Sequence, residues 1–127
     1  MSATNDWEAR FERAGMRPVQ GLWARGEDGR GEACGCLVGL YLVEKLGWEA
    51  TLKETTPPAR MLFGRYRGWE GLGRLLSLDQ DYLHGLSDGW EGEGYLLTRY
   101  DWYPSEYRAG FAIGVKARKA LRPMVAT

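Results

Sequence analysis

Tyr82-Leu83-His84-Gly85-Leu86-Ser87-Asp88-Gly89 and Tyr107-Arg108-Ala109-Gly110-Phe111-Ala112-Ile113-Gly114 carry one signature, Tyr-x-x-Gly followed by an apolar residue and x-x-Gly. Residues at i and i+4 share a helix face, so each glycine pair makes a flat groove on one side of a helix. A glycine inside a helix costs ~1 kcal/mol against alanine. Close approach of a second backbone is the usual gain that offsets this cost. The two segments are therefore expected to form helices that cross at their glycines, with Tyr82 and Tyr107 at the rim. Gly35 and Gly39 repeat the spacing and suggest a third such helix.

Working outward, the rest of the chain also reads as helical. Asn5 or Asp6 can cap a first helix that presents Trp7, Phe11 and Ala14 on one face and stops at Gly15. Ala33 to Leu46 has little polar surface and reads as the central, buried helix, closed by Gly47. Pro57 and Pro58 suit the opening of a helix from Ala59 to Arg67, and another runs from Trp69 to Leu76. Ser77 with Gln80 makes a capping-box pattern for a helix from Leu78 to Asp88. Pro104 to Leu121 is the last helix, ended by Arg122-Pro123. Two stretches read as extended. Pro18 to Arg25, with a turn at Glu27-Asp28-Gly29-Arg30, suggests a small β-hairpin near residues 19–32, and Trp48, Ala50 and Leu52 alternate with polar residues as a short strand does. The expected fold is mainly α, a compact bundle of five or six short helices with that hairpin, and 1–127 reads as a single domain.

Composition sets bounds on function. The 127 residues are 44% hydrophobic and 27% charged, the balance of a globular chain rather than a disordered one. Glycine, at 18, is twice the usual ~7% share, and there are six tryptophans and seven tyrosines. Seventeen basic and 17 acidic residues cancel, which argues against nucleic acid as a partner. The cancellation hides a separation. Asp79 to Glu106 holds seven carboxylates and one cation, whereas Tyr107 onward holds five cations (Arg108, Lys116, Arg118, Lys119, Arg122) and no side-chain carboxylate. Either the two segments neutralise one another or a basic terminal helix faces an acidic partner. The apolar run from Cys34 to Val43 is too short for a bilayer, and Met1 to Arg13 is too polar for a signal peptide, so a cytoplasmic location without membrane contact is expected.

Three groupings are candidates for chemistry. At 100° per residue Asp81, His84, Asp88 and Glu91 fall on the helix face opposite the glycines, a spacing at which carboxylates and imidazole can converge on a divalent metal or an acid–base pair. Charges at this spacing more often form a solvated face. Cys34-x-Cys36 is too tightly spaced for a structural disulfide; near a helix start it can supply a nucleophile or two metal ligands, and otherwise it is a pair of small buried residues. Gly68-Trp69-Glu70-Gly71 and Gly89-Trp90-Glu91-Gly92 can present aromatic platforms for a ligand, or else end helices with the indole folded back on the core. These two lie in a twelve-residue stretch, Leu62 to Gly73, that matches Leu83 to Gly94 at seven positions with a 21-residue offset, and Gly47-Trp48-Glu49 is a weaker third copy. No phosphate loop, dinucleotide fingerprint or serine triad motif is present, and no motif asks for a cofactor.

Gln20-Gly21-Leu22-Trp23-Ala24-Arg25, Asp28-Gly29 and Cys34-x-Cys36-Leu37-Val38-Gly39 resemble a segment shared by small, uncharacterised proteins of actinobacteria and their phages. Gly26 and Leu40 depart from that pattern, the match covers about 25 residues, and the resemblance implies a mobile-element origin but no activity. The paired Tyr-x-x-Gly segments are also similar to ribosome modulation factor, which, unlike this segment, is strongly basic. The expected function is a non-enzymatic binding protein, phage-type, that docks on a protein partner. Trp69, Glu70, Trp90, Glu91, Tyr82 and Tyr107 are its candidate contacts, because tyrosine and tryptophan dominate interfaces. A homodimer would form if a glycine groove were left open within the monomer. The alternative is a small enzyme or a ligand or metal sensor using Cys34 and Cys36 or the Asp81–His84–Asp88–Glu91 stripe.

Overall fold

The computed structural model of the chain describes residues 4–26, 33–55, 68–92 and 104–125. They form α1 (Thr4–Ala14), β1 (Arg17–Gln20), β2 (Ala24–Arg25), β3 (Cys34–Gly35), α2 (Leu37–Leu46), α3 (Trp48–Thr55), α4 (Gly68–Leu76), α5 (Gln80–Glu91), α6 (Ser105–Leu121) and β4 (Met124–Val125). The architecture is mainly helical with a small mixed sheet, as the patterning predicts. The helix expected over Ala59–Arg67 and the turn at Glu27–Arg30 lie outside the described residues.

The pair α5–α6 is the most extensive helix contact, and its glycines are the reason. A β-carbon on Gly85 would stand 2.1 Å from the Tyr107 carbonyl oxygen, and one on Gly110 2.0 Å from that of Tyr82. Gly89 and Gly114 face each other in the same way, their added β-carbons 2.3 Å from Phe111 O and 2.4 Å from Leu86 O. Backbone thus lies on backbone along two turns of each helix. The groove is filled within the monomer, which removes the argument for a dimer through it.

Helix α2 is the centre of the core. Leu37, Val38, Leu40 and Leu42 are fully buried. It starts at Leu37, not Ala33, because Cys34 and Gly35 pair with strands on both sides. Gly35 is therefore a strand residue, and the third helical glycine pair does not exist. Both glycines still serve one purpose, since β-carbons at Gly35 and Gly39 would each run into the Trp23 carbonyl oxygen.

In the sheet, ordered β2-β3-β1-β4, β2 and β3 are antiparallel, paired Ala24 with Gly35 and Arg25 with Cys34, so the strand that returns to β2 lies beyond the 19–32 span expected for the hairpin, in residues read as helix. β1 runs parallel to both β3 and β4, which leaves β4 at an edge.

Three local expectations are corrected. Trp48 to Leu52 is helical, not extended; the backbone N–H of Thr51 donates to Gly47 O at 3.1 Å and the indole of Trp48 donates to the Ala14 carbonyl, so tertiary contact overrides the alternation. Ser77 does not cap α5. It follows α4 in the left-handed region, at φ 59°, with Ser77 N on Arg74 O and Leu78 N on Gly73 O. This is a Schellman ending, like that of α1, where Gly15 N reaches Glu12 O and Met16 N reaches Phe11 O. Asp79 is the cap of α5, its Oδ1 accepting from the backbone of Asp81 at 2.8 Å and Tyr82 at 3.2 Å. Lastly, α1 begins at Thr4, so Asn5 and Asp6 lie inside it.

Candidate functional site

The stripe on α5 divides. Asp88 Oδ2 accepts from the Tyr107 hydroxyl at 2.7 Å and lies 3.1 Å from His84 Nε2. An imidazole protonated at Nε2 satisfies that contact. The His84 ring stacks on Trp69, centroids 5.1 Å apart, and meets the edge of Tyr107 at 5.2 Å. Trp69 in turn packs on Trp23 and Tyr107 on Phe111, so a row of aromatic rings runs from the β1–β2 connection across α4 and α5 to α6. His84 is a joint in that row, not a free ligand on a solvated face. Glu91 is used elsewhere: its Oε1 accepts from the Gly21 backbone N–H at 2.9 Å. Among the described residues no three of His, Cys, Asp and Glu come together to hold a metal ion; of the stripe, His84 and Asp88 meet and Glu91 turns to Gly21.

The candidate aromatic platforms also divide. Trp90 is fully buried, stacked 5.8 Å from Phe11, with Nε1 donating to the Val19 carbonyl at 2.9 Å. Tyr107 is buried as well, at 1% exposure, so it lies beneath the rim rather than on it. Neither offers a ring face to a ligand. Tyr82 and Trp69 are half-buried, and Glu70 is exposed and pairs with Arg74 at 3.0 Å one turn on. The Gly-Trp-Glu copies are not equivalent in place: those at 47–49 and 68–70 open α3 and α4, whereas the one at 89–91 closes α5.

Both cysteines are buried and neither is in a disulfide. Cys36 is the N-cap of α2, its sulfur accepting from Gly39 N at 3.4 Å. Burial pushes this thiol up to about 12, with the Gly39 N–H pulling the other way. A thiol in that range stays protonated at neutral pH and is a poor nucleophile.

No family model, curated protein or solved structure matches this chain. The functional reading therefore rests on its own geometry, and one region stands apart. At the far end of α6 a hollow of about 460 Å³ is lined by Gln20, Arg118, Lys119, Arg122 and Pro123. Two of these residues have structural work. The last carbonyls of a helix lack partners within it, and for α5 these are met from outside: Arg118 Nε donates to Gly89 O at 3.0 Å and Gln20 Nε2 to Trp90 O at 2.6 Å. Lys119 and Arg122 are exposed and form no ion pair with any described residue. Arg122 sits at the C-cap of α6 in the left-handed conformation, φ 48° and ψ 58°, where glycine carries no penalty and other residues cost on the order of 1–3 kcal/mol. Among the described residues, the acidic and basic halves of the C-terminal region thus meet through glycines and backbone carbonyls at this end, without neutralising Lys119 or Arg122. Composition revealed the excess of cations; their arrangement around a hollow had no sequence signal.

Beside the hollow, β4 presents Met124 and Val125, 59% and 69% exposed, on the edge of the sheet. No helix among the described residues is long and apolar enough to cross a membrane.

Proposed function

We propose that this is a non-enzymatic binding protein, of the phage or mobile-element type its sequence resembles, that docks on an extended acidic segment of a protein partner through β4 and the basic turn before it. The observation that carries the reading is the adjacency of an apolar sheet edge, Met124 and Val125, to two exposed cations, Lys119 and Arg122, that form no ion pair among the described residues. A sheet edge offers unpaired N–H and C=O groups to an added strand. The flanking cations select the sign of what is added. Lysine and arginine in a last helical turn are favoured by the helix dipole at ~0.3–1 kcal/mol each. That accounts for cations on α6, but not for exposed apolar side chains next to them. Burial of both cysteines and the tying of His84 into an aromatic row favour this reading over a thiol or metal chemistry.

The test is fluorescence anisotropy with labelled peptides of alternating valine and glutamate, alternating valine and lysine, and a DNA duplex of matched charge. The acidic peptide is expected to bind, more weakly as salt rises, and to lose about tenfold, equivalent to ~1.4 kcal/mol, in Lys119→Glu and in Met124→Asp. Equal binding of both peptides, tighter binding of the duplex, or indifference to both variants would overturn the reading.

A further inference from the structure

We infer that the hollow lined by Gln20, Arg118, Lys119, Arg122 and Pro123 is a binding site for a phosphate monoester. It shares Lys119 and Arg122 with the docking reading and goes beyond it by assigning a ligand chemistry to the concave part of that surface.

Among the described residues, three side-chain cations line the hollow and no carboxylate does. Against their three full charges stand the C-terminal dipoles of α5 and α6, roughly half a negative charge each, and the Glu91 carboxylate, whose Oε1 accepts from Gly21 N beside Gln20, so the region keeps a modest positive balance. The hollow, of about 460 Å³, is shallow and open to solvent. The donors suit a tetrahedral oxyanion. Arg118 is held in place through Nε by the Gly89 carbonyl, which leaves the four N–H bonds of its two terminal nitrogens. Arg122 adds a second planar fork and Lys119 a compact point charge, the pair of donor types that recognise phosphate. Gln20, anchored by one amide N–H on Trp90 O, keeps a second N–H and a carbonyl oxygen.

The second observation is the backbone of Arg122. Its left-handed conformation at a helix end is one that glycine adopts freely, yet an arginine stands there and its side chain lines the hollow. A residue kept in such a conformation points to a role for its side chain.

The experiment is an amide-resolved NMR titration of the full chain with inorganic phosphate, phenyl phosphate and a phosphoserine peptide. Each is run at constant ionic strength, with acetate as the control anion. Saturable one-to-one shifts at Gln20, Lys119 and Arg122 are expected with the phosphates and not with acetate. Arg122→Gly is expected to bind phosphate about tenfold more weakly, the equivalent of ~1.4 kcal/mol, while its unliganded melting temperature stays level or rises. A residue with only a structural role would not separate the two readouts in that way. Lys119→Gln, which leaves the backbone of α6 unperturbed, is expected to weaken phosphate to a similar degree. Shifts that grow linearly and equally with acetate, or full affinity in both variants, would overturn the inference. The relative affinity of phenyl phosphate and the phosphoserine peptide tells whether the monoester is borne by a small molecule or a protein. Met124→Asp separates the two readings, since it is expected to weaken docking of the acidic peptide about tenfold and leave phosphate binding intact. A protein that binds the acidic peptide but no phosphate keeps the docking reading and loses this one; the opposite result does the reverse.

Discussion

The hydroxyl of Tyr107 on α6 and the carboxylate of Asp88 on α5 form a 2.7 Å hydrogen bond across the helix pair that the glycines bring together. The bond exists because the backbones are close enough for a tyrosine on one helix to reach a carboxylate on the other. It also explains why Tyr107, a residue with a polar tip, can be buried at 1% exposure.

Tyr107→Phe keeps the ring against His84 and Phe111 and removes only the donor to Asp88. Asp88 is 16% exposed, so part of its lost solvation is not restored by water. The expected loss is about 1–3 kcal/mol of unfolding free energy, read by urea denaturation. A double-mutant cycle with Asp88→Asn should show coupling between the two changes. Strict additivity would mean that the bond contributes nothing.

Gly85→Ala places a β-carbon against the Tyr107 carbonyl, a backbone atom that cannot swing aside. Alanine gains ~1 kcal/mol in helix propensity. Separating two helices that touch along two turns costs more, since overpacking of a tight core runs to 1–3 kcal/mol or beyond. The net prediction is a lower urea midpoint, with the same sign in Gly110→Ala. A variant more stable than the parent would show that the helices do not cross at these residues.

Cys36 makes stability depend on pH at the alkaline end. Its thiol is pushed up from 9.0 to about 12 in the folded protein, so the folded state holds its proton more tightly than the unfolded chain does. The contribution is fully present below pH 9, where both states are protonated. It declines as pH rises toward 12, where only the unfolded state has released the proton. The slope from this group is at most about 1.4 kcal/mol per pH unit. Cys36→Ser, which retains a capping oxygen, should flatten that limb in urea denaturation measured from pH 8.5 to 10.5. In the native parent, alkylation of this thiol at neutral pH should be slower than that of a free cysteine, and a rate equal to it would contradict its burial.

A feature of this fold is legible in the sequence where its cause is local. Helix ends at Gly15 and Gly47 follow from a conformation that glycine adopts at no steric cost, so the residue type alone marks them. Ser77 shows the opposite. Its type suggested a start, yet it takes the left-handed position that ends α4, because the adjacent Asp79 is the better cap for α5. Trp48 alternates with polar neighbours as in a strand, but a hydrogen bond from its indole to the end of α1 sets it on a helix. For the candidate site the division is sharper. That Trp90 is unavailable and Trp69 half-exposed cannot be seen in two copies of Gly-Trp-Glu, since the difference lies in what packs on each ring.

Two glycine-paired helices crossing at Tyr82–Gly89 and Tyr107–Gly114, a buried central α2 and a collection of cations at the C-terminal end are all legible in the order of residues. In each case the cause is steric or compositional and acts within a few residues. Which charges are neutralised and which aromatic faces remain is set by packing between elements. Arg118 and Gln20 are taken up by the open carbonyls of α5, while Lys119 and Arg122 are left around a hollow beside an exposed edge. A charge is free or satisfied according to its neighbours in space, and for these residues the decisive neighbours lie on other elements of the chain.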